Sequence, residues 1–236
     1  MPLLSVVLPC YNEGKNVTMA YHVITELLEQ NGIAFELLFV NDGSKDSTWK
    51  EISQISAEDT RVQGINFSRN FGKEAALFAG LSYAKGDCCV TIDCDLQHPP
   101  ETMLEMYHLW EQGYEVVEGV KKSRGKESAI HKFCVKCFYS ILNKATKFDM
   151  SKASDFKLLD RKAINILLSM PERQMFYRAL SHWIGFKKTE VEFEVQARAE
   201  GETKWSTWSL IKYALRNITS FSTAPMQIVT ALGCIF

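Results

Sequence analysis

The sequence lacks a net charge, a paired cysteine framework, a histidine cluster, a repeat and a hydrophobic run of membrane-spanning length, and each absence removes a class. Its 27 Lys+Arg and 28 Asp+Glu leave a formal charge of −1, so the whole chain is no polycation built to coat nucleic acid, and no nucleic-acid partner is expected. Seven cysteines in 236 residues form no paired pattern, which fits reduced thiols better than a disulfide framework. The lone CxxC of Cys134 and Cys137 has neither a second pair nor well-placed histidines, so core or half-exposed thiols are expected there instead of zinc ligands. The five histidines show no ligand spacing and read as surface or core residues. MPLLSVVLP carries no signal-peptide pattern and runs directly into a strand, which would keep the N-terminal body in the cytosol. The uncharged apolar stretch APMQIVTALGCIF (224–236) has thirteen residues, short of the roughly 20 that cross a bilayer.

What is present is enough to fold. Hydrophobic residues make up 46% of the chain, sufficient for the core of one large domain or two small ones, and disorder is not expected. The near-zero net charge conceals an asymmetry: residues 1–120 hold 7 Lys+Arg against 18 Asp+Glu, and residues 121–236 hold 20 against 10. The halves are therefore about −11 and +10. An acidic half suits a cation; a basic half suits phosphates or an anionic membrane surface.

The first half alternates short apolar runs with longer helical patterns. Strands are expected at 3–9, 35–41, 61–67, 88–93 and 115–120, and helices at 14–30, 46–58, 72–84 and 100–112. Alternation of this kind implies a mostly parallel sheet with crossover helices, where ligands gather at the carboxyl ends of the strands. PCYNE, NDGSKDS and DCDLQ fall at those ends. The second half shows helical stretches near 126–146 and 160–182, a strand-like segment at 187–198 alternating through Val191, Phe193 and Val195, and an amphipathic helix at 206–220.

Asp93 and Asp95 stand one residue apart just after an apolar strand. Charged carboxylates that close repel each other and are costly to bury alone, so a positive partner belongs between them. With Gln97 they make a hard-oxygen site of the type Mg²⁺ or Mn²⁺ accepts, leaving positions for water and phosphate oxygens. A helix cap or turn acid is the plainer reading of the same pair. Asp42, at a strand tip, can accept hydrogen bonds from the edge of a base, and Pro9, Tyr11 and Glu13 can hold base and ribose. Asp46 and Ser47 read as helix caps. Lys73 reads equally as a phosphate contact or a partner of Glu74, and Tyr107, Trp110 and Phe138 as core.

Taken together, LPCYNEGKNV, FVNDGSKDST, FSRNFGKEAALFAGL and TIDCDLQHPPE resemble the family 2 glycosyltransferases with the GT-A fold. Within that family the likeness is to polyisoprenyl-phosphate glycosyltransferases, which include dolichol-phosphate mannose synthase and the bacterial enzymes that make undecaprenyl-phosphate glucose. It continues through SRGKES, SDFKLLDR, RAEGETKW and FSTAP, and so covers nearly the whole chain. The resemblance implies an α/β GT-A fold with a mostly parallel central sheet and C-terminal amphipathic helices leading to a membrane segment: residues 1–205 catalytic, 206–223 juxtamembrane, 224–236 the start of a hydrophobic segment. It implies that Pro9, Tyr11, Glu13, Val40 and Asp42 bind the nucleotide, and that Asp93, Cys94 and Asp95 meet the diphosphate and metal with Gln97 as a further ligand. Arg124, Arg198 and Lys204 would bind phosphates of donor or acceptor. The middle DxD position, commonly Ala in the family, is Cys94, and Thr203 stands where Ser is frequent; size and hydroxyl are kept.

The implied reaction moves a hexose from a nucleotide-diphosphate sugar to a lipid monophosphate. The leaving diphosphate gains charge that a divalent ion and Arg or Lys stabilise. The acceptor already carries about 1.5 to 2 negative charges, because its second pKa is about 6, and hardly needs a base. Asp155 is therefore expected to position the acceptor or basic side chains, giving inversion by single displacement; a simple pairing with Lys157 or Arg161 is the alternative. Trp205, Trp208, Lys212 and Arg216 suit a membrane interface, and a homo-oligomer is open. Two further readings are a saccharide-hydroxyl acceptor, and a catalytically silent nucleotide-sugar-binding module.

Overall fold

A computed structural model of the chain describes residues 1–122, 154–171 and 176–195, with positions 230 and 233. Its elements follow in order as β1 (Leu3–Cys10), α1 (Gly14–Gln30), β2 (Ala34–Asn41), α2 (Thr48–Glu58), β3 (Val62–Asn66), α3 (Lys73–Tyr83), β4 (Cys88–Thr91), α4 (Glu101–Glu111), β5 (Val116–Lys121), β6 (Lys157–Asp160), α5 (Arg161–Ser169), α6 (Tyr177–Trp183) and β7 (Lys188–Phe193). The chain divides into two compact units, residues 1–123 with 154–201 and residues 124–153 with 202–236, and all of these elements lie in the first.

The strands form one sheet in the order β3-β2-β1-β4-β6-β5-β7. β1 pairs in parallel with β2 and β4, and β2 with β3. β6 runs antiparallel to both β4 and β5, while β5 and β7 are again parallel. Helices cover the inner strands, which explains why β1 and β2 read as almost unbroken apolar runs: Leu4, Val6, Val7 and Leu8 are buried, as are Leu37, Leu38, Phe39 and Val40. Glu36 interrupts the run in β2 without harm. Its carboxylate accepts from the hydroxyl of its register partner Ser5 at 2.6 Å and from the Lys85 N–H. Among the described residues, the buried thiols of Cys10, Cys88, Cys89 and Cys94 are all free.

Two expectations are corrected, and one strand appears where none was expected. The helical stretch at 160–182 is two helices, α5 and α6. Met170 precedes a proline, which disfavours the helical region, and takes extended angles (φ −69°, ψ 134°) that end α5. Residues 157–160, which carry no strand pattern, form β6. The alternation expected at 187–198 holds in β7, with Val191 and Phe193 buried, but Val195 lies beyond the strand and is exposed. The helix expected at 126–146, the CxxC, the amphipathic segment at 206–220 and most of the apolar stretch at 224–236 lie outside the described residues. Among the described residues, no helix is long and apolar enough to cross a membrane.

Candidate active site

From β1 the chain steps outward to β2 and β3, then returns to β4 on the other side of β1. The loops after β1 and β4 therefore diverge, and a crevice opens at the carboxyl ends of the strands, the switch point where such sheets bind ligands. Both non-glycine residues with positive φ among those described, Asn12 and Leu96 (each φ 54°), sit in these two loops. Strained backbone of this kind persists where the surroundings over-determine it, commonly at functional sites.

The loops after β1 and β2 are laced together. Asn12 N–H donates to Ser44 Oγ at 2.9 Å and Asn12 Oδ1 accepts from Lys45 N–H at 2.8 Å. Asp46 accepts from the N–H groups of Gly14 and Thr48, each at 3.1 Å, so it ties down the starts of both α1 and α2, whereas Ser47, at the cap position of α2, makes no side-chain cap bond. Tyr11 stands exposed at the rim, Pro9 and Glu13 are half-buried, and Val40 lies wholly in the core. Asp42 is buried, and its carboxylate accepts from Phe71 N–H (2.7 Å), Gly72 N–H (2.9 Å) and Asn70 Nδ2 (2.9 Å). Its first service is to fold residues 70–72 back over the strand tips. Gly43 makes this possible: it has φ +65°, and a Cβ there would lie 2.3 Å from the Arg69 carbonyl carbon.

That folded loop leads into α3, whose first residue is Lys73. Because β6 is antiparallel to β4, with Thr91 opposite Lys157, the register carried two residues further brings Asp155 level with Asp93. Lys73 Nζ lies between them, 2.5 Å from Asp93 Oδ1 and 3.1 Å from Asp155 Oδ2. On the far side, Arg178 of α6 donates Nε and Nη2 to the two oxygens of Asp155 at 2.7 and 2.8 Å. The result is a row of alternating charge: Arg178, Asp155, Lys73, Asp93. The protein itself thus supplies Asp93 with a positive partner, and Lys73 shares it with Asp155, a residue outside the expected pair.

Burial alone would raise the Asp155 carboxyl, but the Arg178 guanidinium and the Lys73 ammonium hold it well below the usual range. Asp93 behaves likewise: burial opposes ionisation, and Lys73 prevails and lowers it. Glu74 is the exception. Burial and then the Asp155 charge push it up to about 7, although its carboxylate accepts from Tyr177 N–H at 2.8 Å. His98 is buried between the rings of Phe156 and Phe193, with centroids 4.9 and 5.2 Å away, and burial lowers it to about 4.

Asp95 is buried and accepts from Gln97 N–H at 3.2 Å, and Cys94 is buried between the two acids. Asp93, Asp95 and Gln97 therefore share one turn at the tip of β4. Among the described residues no group of three or more His, Cys, Asp or Glu could enclose an ion. The donors fit Mg²⁺ or Mn²⁺ held by one or two carboxylates, with the remaining positions left to phosphate oxygens and water. Arg124, Arg198 and Lys204 lie outside the described residues. Asp155 does not pair with Lys157 or Arg161. Lys157 instead meets Glu118 at 2.9 Å in the core, and Arg161 donates to the Gly86 carbonyl. Sequence reasoning missed Arg178 altogether; its one signal was a lone arginine in the apolar helical run FYRALSHW.

The family model described as Glycosyl transferase family 2 matches residues 5–166. An uncharacterized glycosyltransferase of Synechocystis sp. is 40% identical over 233 residues, covering 98% of this chain and 73% of that protein. The prophage bactoprenol glucosyl transferase homolog of Escherichia coli is 36% identical, covering 98% of this chain and 76% of that protein. The bactoprenol glucosyl transferase of Shigella phage SfV is 35% identical, covering 98% and 75%. Among solved structures, glucosyl-3-phosphoglycerate synthase from Mycobacterium tuberculosis, in complex with Mn²⁺, UDP and phosphoglyceric acid, shares the fold with a TM-score of 0.68 at 19% identity, covering 93% of this chain and 77% of that one. With the family model spanning most of the chain and its relatives aligned along nearly all of it, the chain belongs to glycosyl transferase family 2 and is a glycosyltransferase with a GT-A-like α/β fold.

Proposed function

We propose that this glycosyltransferase moves a hexose from a nucleotide-diphosphate sugar, UDP-linked in preference to GDP-linked, to a polyisoprenyl phosphate at the cytosolic face of a membrane, with inversion at the sugar. One observation carries the choice of acceptor: Asp155 is gripped by Arg178 through two parallel bonds and by Lys73 through a third contact. A carboxylate so stabilised in its charged form is a poor proton acceptor. An acceptor that arrives already ionised, as a phosphate monoester does, needs no base. Relatives named bactoprenol glucosyl transferases agree with this reading.

In the proposed reaction an oxygen of the acceptor phosphate attacks the anomeric carbon. The bond from that carbon to the donor's diphosphate breaks, and the electron pair leaves with the nucleoside diphosphate. Tyr11, Pro9, Glu13 and Asp42 would hold the nucleotide, with Val40 packed in the core beneath the strand tip; Asp93, Cys94 and Asp95 would face the diphosphate. A divalent ion held by Asp93, Asp95 and Gln97 would supply charge stabilisation to the departing diphosphate. Arg178 and Lys73 keep Asp155 ionised and fixed; Arg124, Arg198 and Lys204 would bind phosphates of donor or acceptor. Residues 1–205 would form the catalytic part, with 206–223 and 224–236 holding it against lipid.

The test is transfer from radiolabelled UDP-hexoses to polyprenyl phosphate and to a simple sugar acceptor, each with and without EDTA. Product on the lipid phosphate alone, abolished by EDTA, supports the reading. Transfer to the sugar hydroxyl instead would replace the acceptor, and nucleotide binding without any transfer would leave a silent binding module.

A further inference from the structure

We propose that Lys73 is a resident counter-ion that keeps Asp93 closed to a divalent ion until a diphosphate enters, so that ion and diphosphate bind as a coupled pair. The inference rests on the metal-dependent reading above and goes beyond it by assigning the order and coupling of binding to one side chain.

Both ends of Lys73 are held. Its backbone opens α3 directly after Gly72, whose N–H is gripped by Asp42. Its ammonium contacts Asp93 at 2.5 Å and Asp155 at 3.1 Å. The four-charge row is neutral as it stands, with each cation next to an anion. A dication on Asp93 would face the Lys73 ammonium across a single carboxylate, and like charges at that separation repel strongly in a partly buried site. Lys73 would have to leave. Asp155 offers little new to it, since both of its oxygens already accept from Arg178. An ion arriving alone therefore costs the protein its Lys73–Asp93 contact with no replacement.

A diphosphate changes this balance. Its oxygens complete the ion's coordination and give the displaced ammonium a new anionic partner at the mouth of the crevice, where the Lys73 side chain is 34% exposed. The same swing couples the two ends of the site, because the loop that roots Lys73 is the loop stapled to Asp42. By linkage, each ligand must then raise the other's affinity by the same factor.

Binding of Mn²⁺, followed by the EPR signal of the free ion, tests this without turnover. Wild-type protein should bind Mn²⁺ at least about tenfold more tightly with UDP than without. Lys73→Gln and Lys73→Met should each bind Mn²⁺ alone about tenfold more tightly than wild type and lose most of the coupling to UDP, whereas Lys73→Arg should resemble wild type. Neutral variants that bind Mn²⁺ alone no better than wild type, or retain its full coupling, overturn the proposal. So does a wild-type coupling factor near one, a result that depends on no variant folding. Wild-type protein that takes up no Mn²⁺ even with UDP overturns the metal-dependent function itself, an outcome distinct from binding without coupling.

Discussion

Asp155→Asn separates a positioning carboxylate from a catalytic base. The substitution keeps shape and one carbonyl acceptor but removes the charge that faces Arg178 and Lys73. Removing one partner from a buried ion pair typically costs about 3–5 kcal/mol. Here Arg178 and Lys73 keep 30% and 34% of their side chains exposed while Asp155 keeps 10%, so water recovers part of that and about 2 kcal/mol is expected. For a domain of this size that lowers Tm by about 4–8 °C. In catalysis, loss of a general base usually costs about a hundredfold to ten-thousandfold; loss of a positioning charge should stay within roughly tenfold in kcat/KM. The pH profile makes the distinction sharper. The folded carboxyl lies well below its ordinary value, so the stability that ionised Asp155 contributes is complete above about pH 4 and fades only as pH falls through the lower folded pKa. Between pH 5 and 9 Asp155 itself does not titrate, and the one difference expected there is a lower Glu74 midpoint in the variant, because the Asp155 charge helps raise it. A loss beyond about a thousandfold, together with an acidic limb present in wild type and missing in the variant, would refute the positioning role.

Arg178→Ala frees Asp155 on one side and should reduce kcat/KM by no more than Asp155→Asn does, and Arg178→Lys should recover only part of the loss, since a single ammonium cannot reproduce two parallel bonds. Gly43→Ala meets both a left-handed φ of +65° and a Cβ lying 2.3 Å from the Arg69 carbonyl carbon; it should cost about 1–3 kcal/mol and weaken nucleotide-sugar binding measured by thermal shift. Glu74 titrates near 7 when folded against an ordinary value of 4.5, so the folded state favours its protonated form and wild-type stability should fall as pH rises from about 4.5 through 7. Glu74→Gln keeps an oxygen for Tyr177 N–H and should show a smaller drop in melting temperature between pH 5 and 8.5.

The N-terminal half of the fold was legible because its strands, the edge strand β3 excepted, are buried on both faces and most of its crossovers are amphipathic helices. The five expected strands match β1 to β5 to within two residues at each end. The strand tips were legible for the same reason: polar residues directly after an apolar run have no packing role to explain them. β6 was not legible. KLLD is four residues long and begins with a lysine whose burial makes sense only beside Glu118, 39 positions away in sequence and directly across on β5. Either charge alone argues against a buried strand; the pair argues for one, and only the register brings them together.

The same register explains why the acid row was only half visible. Reading along a parallel sheet directs attention to residues that follow strands, and Asp42, Asp93 and Asp95 all do. Asp155 precedes one. Because β6 is reversed, its amino end lies at the edge where the parallel strands have their carboxyl ends, so a residue before β6 meets residues after β4. Two carboxylates brought together in this way need cations from outside the sheet. Helices on either side of the gap supply them, α3 with its first residue Lys73 and α6 with Arg178 in its first turn. The antiparallel strand thus both creates the electrostatic problem and dictates where its solution must come from, which is why lysine and arginine more than 100 positions apart converge on one aspartate.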